Sequence, residues 1–260
     1  MCLYFPVDVY ETVTRQKPAL VPPRGMRCNN TRAYLDVAKV GLAQVIHTCG
    51  LKPHHNILDV GCGSGSVAVP LLGYLKQGTY DGFDIVPSWI SWCQKNITAT
   101  NPNFRFKFVD VHSKHYNSSG KITSESLRFP YADRSFDCVM LFSIFTHMRL
   151  VGIANYISEI ARVLKPGGHA FITSFLLNDE SRKAIAEGRS SLPFPYSFEG
   201  CLILDDTFPE TAIATPERQI LEWLGHAGLR VKDIRRGSWA GRSGQPNLHD
   251  DLVIEKSPEI

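Results

Sequence analysis

Three glycines at alternate positions mark a place where the backbone could approach a ligand closely. From residue 57 the chain reads ILDVGCGSGS, so an apolar run ends in Gly61, Gly63 and Gly65. Strands that end in glycines and open a helix are common ligand-binding turns. The spacing is GxGxG rather than the GxGxxG of a pyrophosphate site, and Asp59 adds a carboxylate that would repel pyrophosphate. We therefore expect a ligand that carries positive charge.

Two more carboxylates and an aromatic ring follow the next predicted strands. Asp84 closes the run YDGFD, where an acidic residue accepts hydrogen bonds from both hydroxyls of a ribose. Asp110 closes FRFKFVD, well placed to accept from the exocyclic amine of adenine, and Phe142 closes the fourth run. Ligands of open α/β sheets bind at these carboxyl ends of the strands. S-adenosylmethionine (SAM), with its ammonium and sulfonium groups, fits such a set.

Alternating strand and helix patterns must position these residues. The alternation predicts an α/β fold with a parallel sheet and right-handed crossovers. Strands are predicted at 55–61, 80–85, 104–110, 136–143, 169–175, 229–236 and 251–256. Helices are predicted at 31–50, 66–76, 87–99, 150–164 and 217–227.

Several motifs together resemble the class I SAM-dependent methyltransferases over roughly residues 50–175. They are ILDVGCGSG, the acidic end of GFDI, FVDV, LRFPYADRSFDCVM and ARVLKPGG. The resemblance implies a Rossmann-like, doubly wound, seven-stranded and mostly parallel sheet whose antiparallel last strand is DDLVIEKS. It implies that Asp59, Gly61, Gly63 and Gly65 surround the methionine part of SAM, that Asp84 holds the ribose, and that Asp110 with Val111 holds the adenine. Ile85 and Phe142 are further expected cofactor-binding residues.

His147 is the candidate catalytic residue. It ends the segment SIFTH, which follows the fourth predicted strand. Methyl transfer to a hydroxyl gains from a base that removes the proton, and an imidazole with a pKa of about 6.5 suits that role near neutral pH. The alternative is a structural histidine that caps the next helix or hydrogen-bonds to backbone.

The domain organisation follows from where the motifs stop. We predict one domain over 1–260, with an N-terminal arm over 1–50, a SAM-binding core over 51–175 and closing elements over 216–260. Within it, a long polar loop over 111–134 replaces a helix, and a polar, proline-broken insertion occupies 176–215. Long loops inside compact domains are often functional.

Composition narrows the partners and the compartment. Lys+Arg 28 against Asp+Glu 25 leaves a net charge of +3, which argues against a nucleic-acid or membrane partner. The basic side chains of 230–242 are expected to be solvated, with a phosphate or carboxylate clamp as the alternative. Seven cysteines without a CxxC pair, and no secretory pattern, predict a cytoplasmic protein with reduced thiols. His112 and His115 are read as loop residues, so no metal is expected.

Taken together, the residues predict a SAM-dependent methyltransferase for a small-molecule acceptor. O-methylation of a hydroxyl, in secondary-metabolite or glycan tailoring, is the leading hypothesis. C- or N-methylation of a small molecule is the alternative, followed by a nucleic-acid methyltransferase and by a non-catalytic SAM-fold subunit. A homodimer is kept as a hypothesis for the assembly.

Overall fold

The computed structural model describes residues 20–26 and 31–258. It divides into two compact units, which meet in sequence between Val109 and Asp110 and are described in turn. The helices are α1 Thr31–Cys49, α2 Ala68–Leu71, α3 Pro87–Cys93, α4 Leu150–Val163, α5 Asp179–Ala186 and α6 Glu217–His226. The strands are β1 Ile57–Val60, β2 Tyr80–Asp84, β3 Phe104–Phe108, β4 Phe136–Leu141, β5 Leu164–Leu177, β6 Tyr196–Phe198, β7 Cys201–Ile203, β8 Ile213–Pro216, β9 Leu229–Arg235 and β10 Asp250–Lys256.

The first unit is built on three parallel strands in the order β3-β2-β1. β1 and β2 are buried along their whole length, as their lack of polar alternation predicts. α3 starts with Pro87 in its first turn and continues as a π-helical turn, Gln94–Thr98, which accounts for the helix predicted over 87–99. The helix predicted over 66–76 is wrong in extent, because α2 covers only Ala68–Leu71.

The second unit is organised around β5, a strand of 14 residues. β4 pairs with β5 in parallel and β10 pairs with it antiparallel, from Asp250 opposite Ser174 to Glu255 opposite His169. The antiparallel last strand predicted by the resemblance is therefore confirmed. β9 pairs antiparallel with β10.

The prediction of seven strands was too low, since the described ranges contain ten. The additional strands β6, β7 and β8 come from the 176–215 insertion: β8 pairs in parallel with the end of β5, and β7 and β6 continue antiparallel. These strands are three or four residues long, too short to produce an alternating pattern. Glu199 and Gly200, both at positive φ, form the tight turn between β6 and β7.

Apolar packing holds the insertion onto the second unit. Phe175 of β5 meets Phe194 and Trp239 edge to face, with ring centroids 5.5 Å away in both cases. Below them the buried carboxylate of Asp250 accepts hydrogen bonds from Trp239 Nε1 at 2.8 Å and from two backbone N–H groups. Three donors offset the cost of burying this charge.

No helix in the part of the chain that the structure describes is long and apolar enough to cross a membrane. The predicted N-terminal arm lies largely outside the described residues, and only 20–26 and α1 belong to it. The 111–134 loop contains no helix or named strand, as predicted, and is ordered by two isolated bridges, Val111 with Ile122 and Ser113 with Asn117.

Candidate functional site

The glycine turn in the first unit needs its glycines. Gly61, Gly63 and Gly65 have φ values of 74°, 54° and 82°, a region that other residues rarely adopt. A Cβ on Gly65 would also lie 2.8 Å from Cδ1 of Ile97 and 3.2 Å from Sγ of Cys93. The turn is therefore intolerant of side chains at this position.

The N–H groups of the three glycines are directed into the protein. Gly61 donates to the Phe83 carbonyl at 2.9 Å and Gly65 to the Cys62 carbonyl at 3.0 Å. Gly63 donates to Oδ2 of Asp84 at 2.8 Å. A pyrophosphate site needs such N–H groups free to donate to the ligand. The N–H groups of these three glycines are therefore already used within the protein, in agreement with the expectation that the turn does not bind pyrophosphate.

Asp84 links the end of β2 to the glycine turn. Besides Gly63, its carboxylate accepts from the N–H of Val86 at 2.9 Å, and the backbone of Ile85 also contributes a hydrogen bond. Burial raises the pKa of Asp84 to about 6, and the backbone hydrogen bonds oppose that rise. A carboxylate held at the carboxyl end of a strand is fit to accept hydrogen bonds from ribose hydroxyls, so this part of the predicted set suits SAM.

Asp59 is buried beneath the turn. It is 2% exposed and accepts a hydrogen bond of 2.5 Å from the Tyr80 hydroxyl. Burial raises the pKa of Asp59 to about 7, Tyr80 lowers it and nearby Asp84 raises it further. Its assignment to the methionine part of SAM stays a prediction; the contact that the structure shows is with Tyr80, which the sequence analysis missed.

A second missed residue is Tyr34 on α1. Its hydroxyl donates to the backbone carbonyl of Ser64 at 3.0 Å, so a helix of the predicted arm is hydrogen-bonded to the glycine turn. The two residues are 30 positions apart, and no motif marks Tyr34.

In the second unit, Asp110 and Val111 are held by the polar loop that follows them. The Asp110 carbonyl accepts from the N–H groups of Lys121 and Ile122 at 3.0 and 2.9 Å. Asn117 donates to the carbonyl of Val111 at 3.1 Å and to a carboxylate oxygen of Asp110 at 3.4 Å. The loop therefore folds back on the residues that were predicted to bind adenine.

The end of β4 is conformationally strained. Ser143, next to the predicted Phe142, has a φ of 56° and donates its N–H to Oγ1 of Thr173 at 2.7 Å. Phe142 packs at a tilt on Phe171, with 5.2 Å between the ring centroids. Strain of this kind persists only where the surroundings enforce it, and it concentrates at functional sites.

His147 closes a short 3-10 helix, Phe145–His147, directly after this strained end. Its Nδ1 lies 2.8 Å from the backbone carbonyl of Glu210. Because a carbonyl only accepts, Nδ1 carries the proton and Nε2 keeps the lone pair in the neutral ring. Burial is the main reason that the pKa of His147 is lowered, although the backbone of Glu210 opposes that effect. The ring is therefore neutral at physiological pH.

Glu210 connects two segments that sequence reasoning left unassigned. Its carboxylate accepts from Oγ of Ser113 at 2.5 Å and from the N–H of His115 at 3.4 Å. Lys114 adds a hydrogen bond of 2.7 Å to the carbonyl of Thr207. The 111–134 loop and the insertion thus meet beside His147. Sequence separations above 90 residues explain why no local pattern announced this contact.

His249 is a further histidine that the sequence analysis missed. Its ring packs on Phe175 with 4.8 Å between centroids, and burial, together with the charge of His147, lowers its pKa to about 4. Among the described residues no group of three or more His, Cys, Asp or Glu side chains is arranged to hold a metal ion.

The basic side chains of 230–242 are paired with acidic ones. The pairs are Arg230 and Lys232 with Glu255, Arg235 with Asp233, Arg236 with Glu217, and Arg242 with Glu180. The pairing favours internally compensated charge over an anion clamp, although Arg242, at 13% side-chain exposure, is largely buried rather than solvated as expected.

Comparisons with known proteins agree with the fold and the turn. Residues 57–168 match the family model of the methyltransferase domain. The chain is 28% identical over 188 residues to the demethylmenaquinone methyltransferase of Deinococcus radiodurans, and the aligned region covers 68% of each protein. It is 25% identical over 117 residues to the fatty-acid O-methyltransferase of Mycolicibacterium smegmatis, which covers 45% of this chain and 36% of that protein.

A solved structure shows the same fold. The 1,6-didemethyltoxoflavin-N1-methyltransferase of Burkholderia thailandensis, crystallised with 1,6-didemethyltoxoflavin and S-adenosylhomocysteine, is similar with a TM-score of 0.54 at 16% identity. The similarity covers 88% of this chain and 81% of that one. The chain spans about a third or less of the length of several curated relatives that it matches.

Proposed function

This chain carries a class I SAM-dependent methyltransferase domain, and on that premise we propose that it methylates a hydroxyl oxygen of a small molecule, with His147 as the general base. The observation that carries the proposal is the hydrogen bond from His147 Nδ1 to the Glu210 carbonyl, which leaves Nε2 as the proton acceptor. An alcohol needs such an acceptor because it is a poor nucleophile while it keeps its proton.

Cofactor binding and proton removal are assigned to different residues of the chain. The glycine turn and Asp84 are assigned to the methionine part and the ribose of SAM, and Asp110 with Val111 to the adenine. SAM, when bound, supplies a methyl group activated by positive sulfur. His147 would take the proton of the acceptor hydroxyl as the oxygen–methyl bond forms and the sulfur–methyl bond breaks, which would leave neutral S-adenosylhomocysteine, and His147 would then release the proton to water. Holding the acceptor in line supplies much of the remaining acceleration.

Transfer to nitrogen is the second candidate. One of the structural neighbours is an N1-methyltransferase, and a neutral amine already presents a lone pair. Such a reaction would depend little on a base, so the two candidates differ in what the loss of His147 does.

The test is His147→Ala, assayed against a panel of phenols, sugars and amines with radiolabelled SAM. For an O-acceptor we expect a fall in kcat of about 10²–10⁴-fold, the usual contribution of a positioned base. SAM affinity by calorimetry should be unchanged. The matched control is His226→Ala, which removes an exposed histidine at the end of α6.

The pH profile gives an independent readout of the same assignment. A base with a lowered pKa is already neutral below the usual value of about 6.5. The wild-type kcat/KM should therefore rise with pH around a midpoint below 6.5, and this rise should be absent in His147→Ala. A variant with wild-type turnover and an unchanged profile would remove His147 from the mechanism.

A further inference from the structure

A cavity of about 400 Å³ opens in the second unit beside the segment that holds His147. Its walls come from the 111–134 loop around Lys114 and Glu125, from Arg149 and Phe198, and from residues 206–210. These are the loop and the insertion that no motif explained. Glu210 belongs to both sites, because its side chain lines the cavity while its carbonyl accepts from His147.

Two phenyl rings form the apolar part of the cavity, and each already faces a cation of the protein. Nζ of Lys114 lies 4.6 Å from the ring centroid of Phe208, and the guanidinium carbon of Arg149 lies 5.7 Å from that of Phe198. Phe208 remains 43% exposed, so part of its ring surface is open to a ligand in the cavity. A ligand therefore finds ring surface to cover, beside two positive charges.

The polar part of the cavity contains both kinds of hydrogen-bonding group. Carboxylates only accept, ammonium and guanidinium groups only donate, and hydroxyls do both. The lining has three carboxylates, two cations, three hydroxyls and two imidazoles, namely Glu125, Asp206, Glu210, Lys114, Arg149, Thr123, Ser124, Thr207, His112 and His115.

The charges decide which class of ligand fits. An anionic ligand would face the three carboxylates at close range. An ammonium ligand would meet Lys114 over the Phe208 ring, and the Phe198 ring is already covered by Arg149, whose charge is paired with Glu199. An uncharged group with several hydroxyls satisfies donors and acceptors alike, and its carbon–hydrogen face can cover the rings.

We propose that this cavity binds an uncharged sugar ring of the acceptor, apart from the hydroxyl that is methylated. The inference rests on the proposed function, because it assigns the cavity to the same acceptor that His147 activates. Glu210 links sugar binding to proton removal by His147. A sugar hydroxyl that is hydrogen-bonded to the Glu210 carboxylate contacts the same residue whose backbone carbonyl orients the imidazole. The substrate class is thus a glycosylated small molecule.

The direct test is saturation-transfer NMR on the full-length protein without SAM. Three probes share one scaffold: methyl glucoside is neutral, methyl glucuronide is anionic and methyl glucosaminide is cationic. We expect the strongest transfer to the ring protons of the neutral glucoside. Phe208→Ala should reduce that signal at least threefold, and Glu125→Gln should reduce it less. Phe108→Ala is the matched control, because Phe108 is similarly exposed, at 42%, on β3.

The outcomes separate this inference from the proposed function. His147→Ala should keep the glucoside signal while it loses methyl transfer. If no acceptor is methylated but the glucoside signal depends on Phe208, the sugar site stands and the enzymatic proposal fails. A charged probe that binds better than the neutral one, or a glucoside signal that is absent or indifferent to Phe208→Ala, overturns the sugar site even if aglycones are methylated.

Discussion

The glycine turn of the first unit and the His147 region of the second are built in opposite ways. The turn is made of backbone conformation and buried carboxylates, and its defining contact, Gly63 to Asp84, spans 21 residues within one strand–helix–strand unit. The His147 region is made of side chains from distant segments, with separations of 63 residues to Glu210 and 97 between Ser113 and Glu210. The predicted cofactor end is a local motif, whereas the proposed acceptor end is a long-range assembly.

This contrast predicts different failures on substitution. A local backbone motif should fail completely when one position is changed, because nothing else can supply the conformation. A long-range assembly held by several contacts should lose activity in steps, one contact at a time.

Among the substitutions that leave His147 in place, the largest effect on SAM affinity is expected for Gly65→Ala. Alanine at a φ of 82° costs about 1–3 kcal/mol, and its Cβ would lie 2.8 Å from Ile97. We expect SAM affinity, measured by calorimetry, to fall by more than about tenfold, since 1.4 kcal/mol corresponds to a factor of ten. Gly73→Ala is the control, because a Cβ there meets nothing within 4 Å. Equal affinities for the two variants would show that the turn is not the cofactor site.

A smaller effect is expected when the hydrogen bond that holds Glu210 beside His147 is removed. Ser113→Ala removes the 2.5 Å hydrogen bond to Glu210, while Lys114 still holds Thr207. We expect kcat to fall by about tenfold, because small misplacements of a catalytic group are costly. SAM affinity should not change.

Two further variants test whether the effect of Ser113→Ala comes from the lost hydrogen bond to Glu210. Ser113→Thr keeps the hydroxyl and should restore most of kcat, and Ser118→Ala removes an exposed hydroxyl elsewhere in the same loop. If Ser113→Ala and Ser118→Ala lower kcat equally, the orientation of His147 does not depend on Glu210. A parallel change in the pH profile would locate the effect at the base itself.

The same contrast explains what could be predicted from the sequence. The parallel strands, the antiparallel β10 and the glycine turn were predictable because their signals are local: apolar runs, glycine spacing and an acidic residue at a strand end. The short strands β6 to β8 and the contacts of Glu210 were not, because three-residue strands carry no periodicity and pairings across 60 to 100 residues leave no mark on neighbours in the chain.

Asp59 shows a limit within the local motif as well. Its position in ILDVG suggested a carboxylate that acts on the ligand by its charge. The structure instead buries it against Tyr80, which is 21 residues away, and there the pKa of Asp59 rises to about 7. The sequence indicated which residue type stands there, but tertiary burial determines its charge.

A prediction that does not involve turnover concerns this buried carboxyl and how stability depends on pH. The pKa of Asp59 is about 7 in the folded protein and about 4 in an unfolded chain. Between these values the folded state binds more protons, so its contribution to stability is complete at low pH and is lost as pH rises toward 7 and above. Asp59→Asn cannot titrate, and its amide oxygen can still accept from Tyr80.

We therefore expect Asp59→Asn to gain stability relative to the wild type as pH rises from 5 to 8, by an amount on the order of 1–3 kcal/mol. Urea unfolding at several pH values measures the difference. Asp251, whose pKa is also raised by burial to about 6, titrates in both proteins and cancels in the comparison. Asp84 is coupled to Asp59 through its charge, so a change in its titration is part of the measured difference. A pH-independent difference would mean that Asp59 is already ionised in the fold. Its charge would then be available to a cationic ligand, and the variant should bind SAM more weakly.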